Sequence, residues 1–152
     1  MSIEARLQAL GIALPEAAAP VASYVPVVVH GGFAHVSGQV SFVDGELFKG
    51  RLGEDVGLEE GIKAARGCGL MILAQLKTAL GSLDKVERVV KLGGFVNSTP
   101  DFTDQPKVVN GASDLMLEVF GEAGKHARAA VGVPSLPLGV AVEVDAIVAI
   151  AD

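Results

Sequence analysis

The chain has 152 residues, half of them hydrophobic and a fifth charged, with a net charge of −6, six Phe, one Tyr and no Trp. This balance excludes a disordered chain, and the lack of any Lys/Arg run argues against a nucleic-acid partner. No uncharged apolar stretch reaches the roughly 20 residues of a membrane span, the one cysteine, Cys68, can form no internal disulfide, and Met1–Arg6 is no basic-then-apolar leader, so the expectation is one cytoplasmic domain over 1–152.

Residues 2–10 predict a short helix, capped by Ser2 and ended at Gly11, and Ala/Pro-rich residues 12–20 an extended connector. β-branched Tyr24–Val29 predicts a strand, Gly31-Gly32 a turn, and Phe33–Val40 the return strand. Asp44-Gly45 marks another turn, with a short third strand at Glu46–Lys49. From Leu58 to Leu80 the period becomes helical, with Ala65, Gly69, Ile72, Leu73, Leu76 and Leu80 on one stripe. Gly67 and Gly69 each lower helix propensity by roughly 1 kcal/mol, which close approach to a sheet would offset; Gly81 is a suitable C-cap. Val86–Asn97 reads as a strand with a bulge at Gly93-Gly94, followed by a turn-rich stretch. A second helix starts near Pro106 and ends near Gly121, its stripe formed by Val108, Ala112, Leu115, Met116 and Val119. Strands at 127–133 and 140–150 close the chain. The order ββ(β)αβαββ predicts an α+β fold, a mixed sheet with two helices on one face. The sheet's other apolar face then needs a cover, and a second copy of the chain is the economical one.

The chemistry concentrates in the last two strands. Pairing them as a hairpin, with Val133 opposite Val140, would set Arg128 across from Asp145 and Ala130 across from Glu143, all on the face away from Val142 and Val144. Arg128 then has two readings. It is a cross-strand ion pair with Asp145, contributing roughly 0.2–1 kcal/mol, or its planar fork is aimed at a ligand carboxylate. Small neighbours Ala130 and Gly132 leave room for such a ligand, and Glu143 could activate a water.

Arg128-x-x-Val131-x-Val133-x-x-Leu136-Pro137-x-x-x-x-Val142-Glu143-Val144-x-Ala146-Ile147 resembles the C-terminal signature of the reactive intermediate deaminase (Rid, or YjgF) family. Ser37-Gly38-Gln39-Val40 is similar to the family's Ser-Gly-Gln strand; Leu83-Asp84-x-Val86-x-x-Val89-Val90-Lys91, Phe95-Val96, Asp101-Phe102 and Val109-Asn110 match other segments in order, and Tyr24 stands where the family commonly has a Tyr. The resemblance implies a chorismate-mutase-like fold of the bacillus type and a homotrimer with ligand clefts between subunits. It also implies hydrolysis of enamines and imines of 2-oxo acids, such as 2-iminobutanoate or 2-iminopropanoate, to the oxo acid and ammonia, without metal or organic cofactor. Carried onto this chain, Arg128 would bind the substrate carboxylate, Glu143 would position the attacking water, and backbone groups at Ala130 would orient the imine. Ser37, Asn110 and Tyr24 would line the cleft, some of them from the neighbouring subunit. The chain departs from the better-known deaminases in having Ala130 where they often carry Cys, and in a longer stretch between Thr99 and Val108, which places it with a longer-chain branch.

Other residues carry less. His126 precedes Arg128 by two positions and is either a second acid–base group or a loop histidine at the strand's start. His30 and His35 flank a turn without a metal-ligand pattern, Cys68 on the first long helix reads as core, and neither glycine pair forms a nucleotide fingerprint. Two other functions compete with the deaminase: a non-catalytic trimer that senses a small carboxylate, and an endoribonuclease, against which the acidic charge weighs.

Overall fold

A computed structural model describes residues 1–19 and 22–151; the connector's predicted end at 20 and the domain's last position, 152, lie outside the described residues. Helix α1 (Ile3–Ala9) begins as expected, with Ser2 Oγ accepting from the Ala5 N–H at 3.0 Å. Seven residues are too few for a helix stable alone, and tertiary bonds hold it. The Glu4 carboxylate accepts from the Leu83 N–H at 2.8 Å, Arg6 Nε donates to the Glu118 carbonyl at 2.8 Å, and Leu7 is buried.

Strands β1 (Val27–His30) and β2 (Phe33–Val40) form the predicted hairpin, and β3 (Phe42–Val43) with β4 (Glu46–Leu47) a small second one. Helix α2 (Leu58–Leu80) has the predicted bounds, and its last turn closes on Gly81 at φ 84°, a left-handed conformation that glycine adopts without strain. Then follow β5 (Val86–Asn97), α3 (Gln105–Phe120), β6 (Ala127–Val133) and β7 (Val142–Ile150). All the stripe residues predicted for α2 and α3 are buried. The two helices pack closely because Gly111 of α3 lies against the Ile62 carbonyl, where any Cβ would collide. Gly67 approaches the Phe42 carbonyl as expected, but Gly69 faces Leu115 and Ala112 of α3 and not the sheet.

The main sheet runs β1-β2-β7-β5-β6. The terminal strands are therefore not a hairpin: β5 lies between β6 and β7, parallel to the first and antiparallel to the second. The reason is the β5–α3–β6 unit. A helical crossover sets two parallel strands side by side, so β6 takes one flank of β5 and leaves the other, next to β2, for β7. The connection from β6 to β7 winds around the end of β5, where the Asn97 N–H donates to the Ala141 carbonyl and the Ser98 N–H to the Val133 carbonyl. Nor do Gly93 and Gly94 form a bulge. The register shifts of β5 fall earlier, between Val86 and Lys91, and the two glycines admit the Asp145 carboxylate on one face and the Val109 side chain on the other.

Helices α2 and α3 cover one face of the sheet, over Ala34, Val36, Val89, Leu92, Val96, Val142, Val144 and Val148. No element of the described chain covers the other face, which keeps Val28 50%, Phe33 41% and Val131 46% exposed.

Candidate functional site

Register decides where each side chain points. Arg128 pairs with Leu92, which pairs with Ala146. Laterally paired residues share a face, and Leu92 is fully buried under the helices. Arg128 thus lies on the helix side of the edge strand β6, half-buried against α3. Its Nη1 donates to Asn110 Oδ1 at 2.7 Å and to Ser113 Oγ at 3.1 Å. Asn110 and Ser113 are three residues apart, neighbours on one face of α3. Among the described residues no acid forms an ion pair with Arg128, and its Nε and Nη2 have no hydrogen-bond partner. The guanidinium is held by one corner through neutral oxygens, with the opposite edge free to take two oxygens of a carboxylate.

The predicted pairing of Arg128 with Asp145 and of Ala130 with Glu143 is thereby overturned. Ala130 pairs with Gly94, which pairs with Val144, so Arg128 and Ala130 share the face of the valines. Glu143 and Asp145 occupy the opposite face. Glu143 pairs with Phe95 and Val40, and Phe95 pairs with Val131, so Glu143 stands in one row with the exposed Val131. Its carboxylate rests over Gly38, where a Cβ would collide with it, beside the register shift of β2 at Ser37 and Gly38. Burial first, and then the charge of Asp145, pushes the Glu143 carboxyl above its ordinary pKa. Ser37 is held in the same irregularity: its N–H donates to the Pro26 carbonyl at 2.9 Å, and Gln39 Nε2 donates to its carbonyl at 3.0 Å. Tyr24 lies in the bend before β1 and is 53% exposed.

Within one chain the structure thus brings together Arg128 and Asn110, with Ala130 further along the same face, and separately Glu143 and the Ser37–Gly38 irregularity. The two groups are on opposite faces, and β6 is three strand spacings from β2, about 14 Å. Tyr24 belongs with the β1–β2 side. A cleft of about 430 Å³ lies beyond Gly132, lined by Arg51, Ser98, Thr99, Phe102 and Gln105 among others. Sequence reasoning passed over Ser113, although its spacing from Asn110 was the available signal. Cys68 is buried, its thiol pushed far up by burial and by the charge of Glu143, with Sγ donating to the Val142 carbonyl at 3.4 Å, so it is no nucleophile. Among the described residues no three His, Cys, Asp or Glu side chains gather as a metal site, and no helix is long and apolar enough to cross a membrane.

A family model described as "YjgF/chorismate_mutase-like, putative endoribonuclease" matches residues 4–149. The chain belongs to the Rid/YjgF family. Its relatives include protein TCP17 of Trypanosoma cruzi, 56% identical over 148 residues that span 96% of this chain and 92% of that protein. The crystal structure of Atu1372 from Agrobacterium tumefaciens, a protein of unknown function, is 49% identical, with a TM-score of 0.90 over 98% of this chain and 92% of that one. A Shewanella oneidensis structure bearing the endoribonuclease description is 38% identical, with a TM-score of 0.94 over 99% of this chain and all of that one. Escherichia coli TdcF with bound serine shares the fold at 22% identity, with a TM-score of 0.64 over 90% of this chain and 94% of that one. The Rid/YjgF architecture of this chain is therefore the chorismate-mutase-like α+β fold.

Proposed function

We propose that this Rid/YjgF protein hydrolyses imines and enamines of 2-oxo acids in clefts between subunits of a homotrimer, without metal or organic cofactor. The observation that carries this reading is the Arg128 guanidinium: charged, half-buried, tethered through one nitrogen to neutral oxygens, and free along its other edge. A half-buried cation without a counter-charge has lost part of its hydration, and a bound carboxylate supplies the missing charge. The serine held by TdcF carries a carboxylate and an adjacent nitrogen, the two groups an amino-acid-derived imine would present.

Assembly supplies the second half of the site. Arg128 and Glu143 of one chain face away from each other, whereas the uncovered sheet face that carries Glu143 is apolar enough to receive another copy. Glu143 of one protomer then stands over the Arg128 of the next, with Ser37 and Tyr24 arriving on the Glu143 side and Asn110 on the Arg128 side. Arg128 clasps the carboxylate, and the backbone at Ala130 orients the C=N group. Glu143, its proton affinity raised by burial, takes a proton from water as the oxygen bonds to the imine carbon. Glu143 returns that proton to the nitrogen, and as the C–N bond breaks and the C=O bond forms, the adduct's hydroxyl proton passes through the Glu143 carboxylate to the departing ammonia. Water and iminium become oxo acid and ammonium. No thiol is needed, which accords with Ala130 in place of Cys.

The test is ammonia release from freshly generated 2-iminopropanoate, followed against buffer and against Arg128→Ala. Acceleration that needs Arg128 supports the reading. Pyruvate binding without acceleration assigns the cleft to a carboxylate sensor instead. The endoribonuclease description is disfavoured by the net charge of −6, and RNA cleavage lost in Arg128→Ala would restore it.

A further inference from the structure

We infer that Ser113 and His126 form a directional hydrogen-bond relay that positions Arg128 for its ligand, making His126 a positioning residue of the site. The inference rests on the reading that Arg128 binds the substrate carboxylate.

Every link has a forced direction. His126 Nδ1 lies 2.6 Å from the Gly124 carbonyl, which can only accept, so Nδ1 carries the proton. In the neutral ring Nε2 is then an acceptor, and it lies 2.9 Å from Ser113 Oγ. Ser113 has one proton to give, and Nε2 takes it. The serine oxygen is left to accept, and it does so from Arg128 Nη1 at 3.1 Å. A guanidinium can only donate, so no link can be reversed while the ring is neutral. Ser113 is buried, which keeps water from substituting for a lost partner. The Gly121–Gly124 turn thereby communicates with the guanidinium through two side chains and no charge.

Losing the acceptor at Nε2 frees the Ser113 hydroxyl to rotate, and a helical serine without a partner turns its proton toward a backbone carbonyl one turn back. The oxygen that receives Arg128 Nη1 would then lose its fixed orientation, and the fork its fixed aim. The charged groups on the elements packed around the ring are Arg128 on β6, Glu87, Arg88 and Lys91 on β5, Lys107, Asp114 and Glu118 on α3, and the Glu122–Lys125 pair of the preceding turn. None of them bonds to the ring, whose partners are Gly124 and Ser113.

The test uses the full chain with pyruvate as ligand and 2-iminopropanoate as substrate. Removing the acceptor with His126→Leu should weaken pyruvate binding and raise KM about tenfold, as for a hydrogen bond to a charged group made imperfect, with kcat within about twofold of the parent. His126→Gln, whose amide oxygen can accept from Ser113, should recover most of the loss. In the parent protein the ¹⁵N resonance of His126 Nε2 should shift on adding pyruvate, and this shift should vanish in Arg128→Ala. If His126→Leu does not fold, Ser113→Ala and the ¹⁵N measurement decide. Unchanged affinity in the His126 and Ser113 variants with a static ¹⁵N resonance, while Arg128→Ala loses pyruvate, overturns the relay and leaves the proposed function standing. Arg128→Ala binding pyruvate like the parent overturns both.

Discussion

The two faces of the sheet treat their charged groups in opposite ways. On the helix side, Arg128 is satisfied at one corner by Asn110 and Ser113 and aimed by the elements behind it. On the open side, Glu143 lies beside Asp145 with no cation within ion-pair distance among the described residues, and burial and repulsion both disfavour its charge. One group is prepared and waits for an anion. The other is strained electrostatically and gains from anything that brings a proton or a cation. The contrast teaches that one half of the proposed site is preorganised inside the protomer, while the other half, on the proposed reading, acquires its role at a contact between protomers.

The comparison breaks most sharply at Arg128. Replacing it with Ala should weaken pyruvate binding by about 100-fold or more, the loss of a bidentate charge-assisted contact, measured by calorimetry, with little change in thermal stability. The Glu143 side should respond in the opposite sense. Glu143→Gln should lower kcat by about 100-fold or more while pyruvate affinity stays within a few-fold. It should also raise the melting temperature at neutral pH. The folded-state pKa of Glu143 is raised, so its favourable contribution is complete below the unfolded value and is lost as pH rises through the folded one. The advantage of the Gln variant should therefore shrink as pH falls toward the ordinary carboxylate range, about 4.

Assembly is probed by Val131→Glu, which puts a charge into the exposed row that contains Glu143. If the chain assembles as proposed, sedimentation should show a trimer in the parent that dissociates in the variant, with activity falling alongside; a trimer that persists in the variant would place the contact elsewhere, and a monomeric parent would overturn the assembly. The smallest effect should come from Gly38→Ala. Its Cβ would displace the Glu143 carboxylate without touching Arg128, so kcat should fall by less than in Glu143→Gln and pyruvate affinity should hold.

Two residues of the proposed site reached notice by different routes. Arg128 was marked by its residue type among small neighbours, and again by the family resemblance, which alone pointed to Asn110. Ser113 and His126 were harder to see. A serine in a helix and a histidine before a strand are common, and their joint meaning depends on α3 lying against the start of β6. The sequence singled out Glu143 but not its surroundings: the expected partner, Ala130, sits on the other face, and Gly38, from a distant strand, takes its place.

Local periodicity determined the elements. The bounds of α2, the buried stripes of both long helices, the αL cap at Gly81 and the extent of β5 all follow from contacts within a few residues along the chain. Strand neighbours do not follow from it. Alternation says which side chains share a face of one strand, but not which strand lies alongside, because any two strands of suitable pattern can pair. Only the tertiary structure, with α3 carrying β6 across to one flank of β5 and leaving the other to β7, decided that Arg128 and Glu143 would look in opposite directions.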